Sequence, residues 1–180
     1  MNFSSFRRSI SLLALCAVAV VMTGCATASK PEAMIPTASV AGTKHAQTAS
    51  VVVAGGSETS ALGKSQISNQ AFQQAIVASI EKNKTFSSVV KGANGDYRLA
   101  VTVVSMDQPS FGFSFTVKME AAWSLKKADG SVVMQESIKS EGTAGATDAF
   151  AGVERLRLAN EAAARANIAA GLAKIGALNF

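Results

Sequence analysis

The chain has 180 residues, 17 Lys and Arg against 12 Asp and Glu, and a formal net charge of +5. Arg7 and Arg8 supply two of those charges, so the chain beyond them carries +3, and its basic balance is partly an amino-terminal effect. One histidine and two cysteines exclude a histidine-rich metal site and a disulfide framework.

The first element is a positive segment at Arg7 and Arg8 followed by an apolar run from Ile10 to Val21. That run is shorter than the roughly 20 residues a spanning helix needs. It leads into Met22-Thr23-Gly24-Cys25, which resembles the lipobox of bacterial lipoproteins. The resemblance implies cleavage between Gly24 and Cys25, a thioether to diacylglycerol on the Cys25 thiol and acylation of the new amino terminus. Several acyl chains make such an anchor stable. Cys16 follows the bulky Leu15 inside the apolar run and falls in the discarded peptide. The alternatives are an ordinary signal peptide cut near Ala26 or Ala28, or an uncleaved anchor helix. Ala26 stands where an Asp resembles an inner-membrane retention signal, so the expected address is the outer membrane, with the domain in the periplasm.

Residues 26–49 are rich in Ala, Thr and Ser, contain Pro31 and Pro36, and lack a sustained apolar period. They are expected to form a flexible tether with a reach of roughly 25 to 30 Å. The only histidine, His45, falls within it. Residues 50–180 then suffice for a single domain.

Ser50 to Ala54 is a β-branched run stopped by Gly55-Gly56 and predicts a strand. Ser68 is suited to cap a helix in which Phe72, Ile76 and Ile80 recur at spacing four, ending near Asn83. Phe86 to Val90 and Tyr97 to Val104 predict two more strands, separated by a turn at Gly92 to Gly95. Phe111, Phe113, Phe115, Val117, Met119, Ala121, Trp123 and Leu125 alternate with mostly polar residues, the period of a long half-buried strand. Asp129-Gly130 predicts a hairpin turn, and Val132, Met134 and Ile138 the returning strand, broken by Gly142 and Gly145. From about Asp148 to Ile175 an Ala-rich helix is expected, with Leu156, Ala159, Ala163, Ala166 and Ala170 on one stripe and a Glu161–Arg165 pair four residues apart.

The order β-α-β-β-β-β-α predicts an α+β two-layer sandwich: a mainly antiparallel sheet of four to five strands packed by two helices. Ala71-Phe72-Gln73-Gln74-Ala75-Ile76, Asp96-Tyr97-Arg98-Leu99, Trp123-Ser124-Leu125 and Glu161-Ala162-Ala163-Ala164-Arg165-Ala166-Asn167-Ile168 resemble pieces of periplasmic α/β lipoprotein domains such as LpoB, CsgG and the TolB amino-terminal region. That resemblance implies an accessory, assembly or secretion role at the envelope. It carries no catalytic or ligand residue across.

With His45 in the tether and Cys25 committed to lipid, Ser-His-Asp and Cys-His chemistries lack their parts. Gly63-Lys64-Ser65 ends like a phosphate-binding loop, but six residues separate Gly56 from Gly63 where the motif needs four, so no nucleotide is expected. Asp96, Asp107, Glu120 and Asp129 are the carboxylates that could supply glycoside chemistry. Lys118, Lys126, Lys127 and Lys139 lie on or near the long hairpin and form either a solvated or a mildly basic face. Phe111 and Phe113 either complete the core with Phe115 or overhang the sheet end as an interface. The expected activity is non-enzymatic: a lipoprotein bound to the bilayer through acylated Cys25 and to an envelope protein or a second copy of itself. No nucleic acid, cofactor or metal is expected. The competing readings are an enzyme acting on envelope glycan or lipid, and a self-assembling module.

Overall fold

A computed structural model of the protein describes residues 25–180. The signal peptide expected over 1–24, including Gly24 at the cleavage point, lies outside the described residues. Strands β1 (His45–Ala54), β2 (Phe86–Val89), β3 (Tyr97–Asp107), β4 (Phe115–Lys127) and β5 (Val132–Ala144) form one sheet in the order β2-β1-β3-β4-β5. Helices α1 (Asn69–Asn83) and α2 (Gly152–Gly176) pack against the sheet, and a short 3-10 turn spans Pro31–Met34. This is the expected α+β architecture in the expected element order.

The sheet is mixed, a change from the mainly antiparallel one expected. β1 runs parallel to both neighbours, while β3, β4 and β5 are antiparallel. β2 pairs with the first half of β1 and β3 with the second, so the chain between them crosses over β1 at its middle. Gly95 makes that crossing close, because a Cβ there would sit 2.7 Å from the Ser50 amide nitrogen. The β1–α1–β2 crossover begins where Ser68 Oγ accepts from the Ala71 amide at 3.2 Å, as its cap position predicts.

Paired residues share a face of a sheet, and the registers Val51–Leu99–Leu125–Met134 and Val53–Val101–Trp123 align the buried side chains beneath the helices. The buried stripe of α2 passes through Leu156, Ala159, Ala163, Ile168, Leu172 and Ile175. Ala166 and Ala170, expected on that stripe, face solvent. Toward the end of the helix the buried side turns instead to Asn167, Ile168, Gly171, Leu172 and Ile175.

Gly142, read as a strand breaker, lies inside β5. A Cβ there would meet the backbone of α2, 2.1 Å from Ala163 N and 2.4 Å from Ala159 O, so the residue is small because the helix presses on the strand. Gly171 does the same from the helix side, 2.6 Å from the Trp123 ring. Trp123 Nε1 donates to Asn167 Oδ1 at 2.9 Å, and Asn167 Nδ2 donates to Ile138 O at 2.9 Å and Ser140 Oγ at 3.2 Å. The buried polar atoms at this contact are thereby satisfied.

The tether expected over 26–49 is not one. Ser29 N donates to Gln66 O at 3.1 Å, Met34 is fully buried, and β1 starts at His45. Single anchoring residues, not a periodic run, hold this segment, which is why the pattern escaped a periodicity test. His45 is buried, with its ring stacked 4.1 Å from Phe180 and Nε2 3.1 Å from Ile175 O. Glu161 is paired differently as well: buried, it accepts from Lys30 N at 2.8 Å and from Arg157 Nη1 at 2.5 Å, while Arg165 Nε donates to Ala33 O. Arg157 also binds Glu154, and this contact holds the Glu154 carboxyl below its ordinary value.

Gly142→Ala should cost about 3 kcal/mol, the upper range for overpacking, because the obstacle is backbone that cannot rotate away; urea unfolding measures it. Glu154 has a lowered folded-state pKa, so its contribution is complete above the ordinary value of 4.5 and is lost as pH falls through the folded value. Stability measured from pH 6 downward, about the range over which carboxylates titrate, should therefore fall less steeply for Glu154→Gln than for the wild type.

Candidate functional site

Topology gathers three loops at one end of the sheet. β1 and β3 run parallel and end there, β4 begins there, and β5 returns there before α2. The loops are residues 55–67, 108–114 and 145–151. They are stitched together: Lys64 Nζ donates to Gln108 O at 3.3 Å and Ser110 Oγ at 3.2 Å. Gln108 Nε2 donates to Ser65 O at 2.8 Å and Asn160 Oδ1 at 2.9 Å. Arg155 reaches Ala149 O at 3.0 Å, Phe150 O at 2.8 Å and Gly112 O at 3.3 Å, and lies over the Phe115 ring at 5.4 Å. The Gly-Lys-Ser segment thus serves to join loops, with its lysine spent on carbonyl and hydroxyl oxygens.

The three alternating phenylalanines separate here. Phe115 opens β4 and is buried, whereas Phe111 and Phe113 are each 89% exposed. Gly112 between them has φ +145°, a conformation that breaks the extended run before the strand begins. Alternation therefore overstated the strand by its first two rings. Leu62 and Phe150, almost wholly exposed in the flanking loops, were missed. The available signal was isolation: each is a large apolar residue in a segment of small and polar neighbours, with no periodic partner.

Cys25 is exposed and lies at this end. The next residue, Ala26, donates its amide to Ala61 O at 3.1 Å, beside Leu62.

The sheet face away from the helices is the second surface. Its rows alternate in charge: Asp107, Lys118 and Glu141 align across three strands, as do Ser105, Glu120 and Lys139. Lys118 lies 3.8 Å from Glu141 and Lys139 3.8 Å from Glu120. These residues line a shallow depression of about 490 Å³. Of the four lysines read as either a solvated or a mildly basic face, two are thus paired with neighbouring carboxylates. The candidate carboxylates do not converge on one point. Asp96 accepts from Thr48 N and Oγ1 at 2.8 Å each, and Asp129 from Ser131 N at 2.9 Å and Oγ at 2.6 Å. These hydrogen bonds hold both carboxyls below the usual range. Among the described residues no group of three or more His, Cys, Asp or Glu side chains could hold a metal ion, and no helix is long and apolar enough to cross a membrane.

No family model and no curated protein sequence matches the chain. Solved structures share its fold. Protein XCC0632 from Xanthomonas campestris, of the family model DUF330, is 16% identical, with 84% of this chain and 93% of that chain covered and a TM-score of 0.57. The hypothetical protein CT253 from Chlamydia trachomatis is 10% identical over 72% of this chain and 93% of that one, with a TM-score of 0.51. These similarities are of fold. They do not link the chain to LpoB, CsgG or TolB, and that resemblance rests on the sequence phrases alone.

Phe111→Ser and Phe113→Ser should each change stability by less than about 0.5 kcal/mol, as exposed substitutions do. Phe115→Ser should cost about 3 kcal/mol or more through loss of a buried ring. Parallel urea melts of the three variants check the division.

Proposed function

We propose that the protein is a membrane-anchored lipoprotein, held to the periplasmic face of the outer membrane by acyl chains on Cys25. It acts without catalysis, binding another envelope component to support assembly, transport or cell-wall synthesis. The observation that carries this reading is the uncovered face of β3, β4 and β5, whose half nearest the loop end holds two rows of alternating charge, Asp107–Lys118–Glu141 and Ser105–Glu120–Lys139. Both helices pack on the other side, so among the described residues no helix covers this face. Complementary charge sets register and specificity in such contacts more than raw affinity. Phe111 and Phe113, at the sheet end, do not contribute to this face.

The lipobox-like Met22-Thr23-Gly24-Cys25 supports the anchor, and Ala26 in place of Asp supports the outer membrane as its address. The open face presents Asp107 and Glu120 with cations beside them. Such pairing stabilises a folded surface and does not require the carboxylates to react.

A photo-crosslinking residue placed at Thr102, which is exposed on the open face, should capture one envelope protein in near-equal amount in living cells. The same residue at Ala166, on the outer surface of α2, should not. Capture should survive Asp107→Asn and Glu120→Gln and weaken in Cys25→Ser. Recovery of only the protein itself would favour a self-assembling module. Loss of cellular function in a folded carboxylate variant would favour an enzyme acting on envelope glycan or lipid.

A further inference from the structure

We propose that the loop end carrying Leu62, Phe111, Phe113 and Phe150 is a second, non-covalent membrane contact, inserted into the surface of the leaflet that holds the Cys25 lipid. It rests on the anchor reading above and adds to it the orientation of the domain. The occupant assigned to this apolar end is the lipid surface, because the anchor position leads directly into it. The Ala26–Ala61 hydrogen bond places Cys25 within on the order of 10 Å of Leu62, given 3.8 Å between consecutive Cα atoms. Acyl chains on Cys25 would therefore enter the bilayer beside these side chains.

The distribution of exposed apolar side chains points the same way. Among the described residues four large hydrophobic side chains are at least 89% exposed, and all four lie in the loops at this end. The other large exposed hydrophobics, Val52, Val104 and Val132, are only about half exposed and lie elsewhere on the sheet. A soluble surface scatters such residues singly. Apolar and aromatic side chains held at one level are what an interfacial contact requires, with rings seated among headgroups and acyl boundary.

Hydrogen bonds tie the three loops together. Lys64 Nζ and the two Nη atoms of Arg155 donate to loop carbonyls and the Ser110 hydroxyl, which joins the three loops to one another. With no tether between Cys25 and the domain, the protein stands on the bilayer. β4 then rises away from it by about 40 Å over its length, at roughly 3.3 Å per residue. The open sheet face points sideways, parallel to the membrane plane, and the Ala128–Ser131 turn is the part farthest from the lipid.

The test uses the full chain, processed in a bacterial host and reconstituted into vesicles of phosphatidylethanolamine and phosphatidylglycerol that include a lipid spin-labelled near its headgroup. Single tryptophans are introduced by Phe113→Trp, Phe150→Trp and, at the far end, Val132→Trp. Native Trp123 is fully buried, and its emission serves as both background and report of folding. The mass of the Cys25 peptide reads the anchor independently. The expected result is acylated Cys25, loss of roughly half of the added emission at positions 113 and 150, as for rings at headgroup depth, and none at 132. Acylation without quenching at 113 and 150 overturns the docking and leaves the anchor standing. Equal quenching at all three positions overturns the upright orientation. An unmodified Cys25 overturns the anchor reading and this inference with it.

Discussion

The close approach of α2 to β4 and β5 is the constraint on which the rest of the molecule depends. Two glycines permit it from opposite sides, Gly142 in the strand and Gly171 in the helix, each where a single extra carbon would collide with backbone or with the Trp123 ring. Bringing the helix that near buries the indole completely, and burial of a large side chain is worth about 2 to 3 kcal/mol. The same proximity brings polar atoms into the interior, and Asn167 resolves that cost by taking the indole N–H and giving its own to Ile138 O and Ser140 Oγ. Small residues and one amide act together: the glycines set the distance and the asparagine makes that distance tolerable.

The same helix fixes the amino-terminal segment. Glu161 and Arg157 are buried on α2, and an unpaired charge there would be strongly destabilising. Glu161 satisfies its remaining capacity with the Lys30 amide, and Arg165 takes the Ala33 carbonyl. The helix thus draws residues 29–34 against the domain, and the backbone bond from Ala26 to Ala61 continues the attachment up to Cys25. A chain that composition suggests is a spacer becomes part of the fold, and the position of Cys25 relative to the sheet is determined by packing.

The molecule consequently offers surfaces of different chemistry. The loop end is apolar and stands next to Cys25, whereas the helix-free face carries two rows in which carboxylates and ammonium groups alternate across strands. The proposed roles follow from that contrast: lipid for the first and a charged envelope partner for the second. Because the strands run away from the loop end, one domain can meet both without changing shape.

Much of this was legible in the residues. The alternation from Phe115 to Leu125, the Ser68 cap and the Asp129-Gly130 turn each encode local geometry, so the element order and the α+β class follow from periodicity and turn chemistry. The lipobox-like segment is likewise local, and the expectation of a lipid on Cys25 comes from sequence alone. What needed the tertiary structure was every feature whose cause lies far along the chain. The parallel pairing of β1 with β2 and β3 depends on a crossing at Gly95, Gly142 is a contact site because α2 passes over it, and Glu161 is committed to the amide of Lys30, 131 positions away. The exposure of Phe111 and Phe113 and their association with Leu62 and Phe150 were decided in the same way. A side chain's neighbours in sequence determine its rotamer and its strand face, but only the path of the whole chain determines whether another segment arrives to cover it.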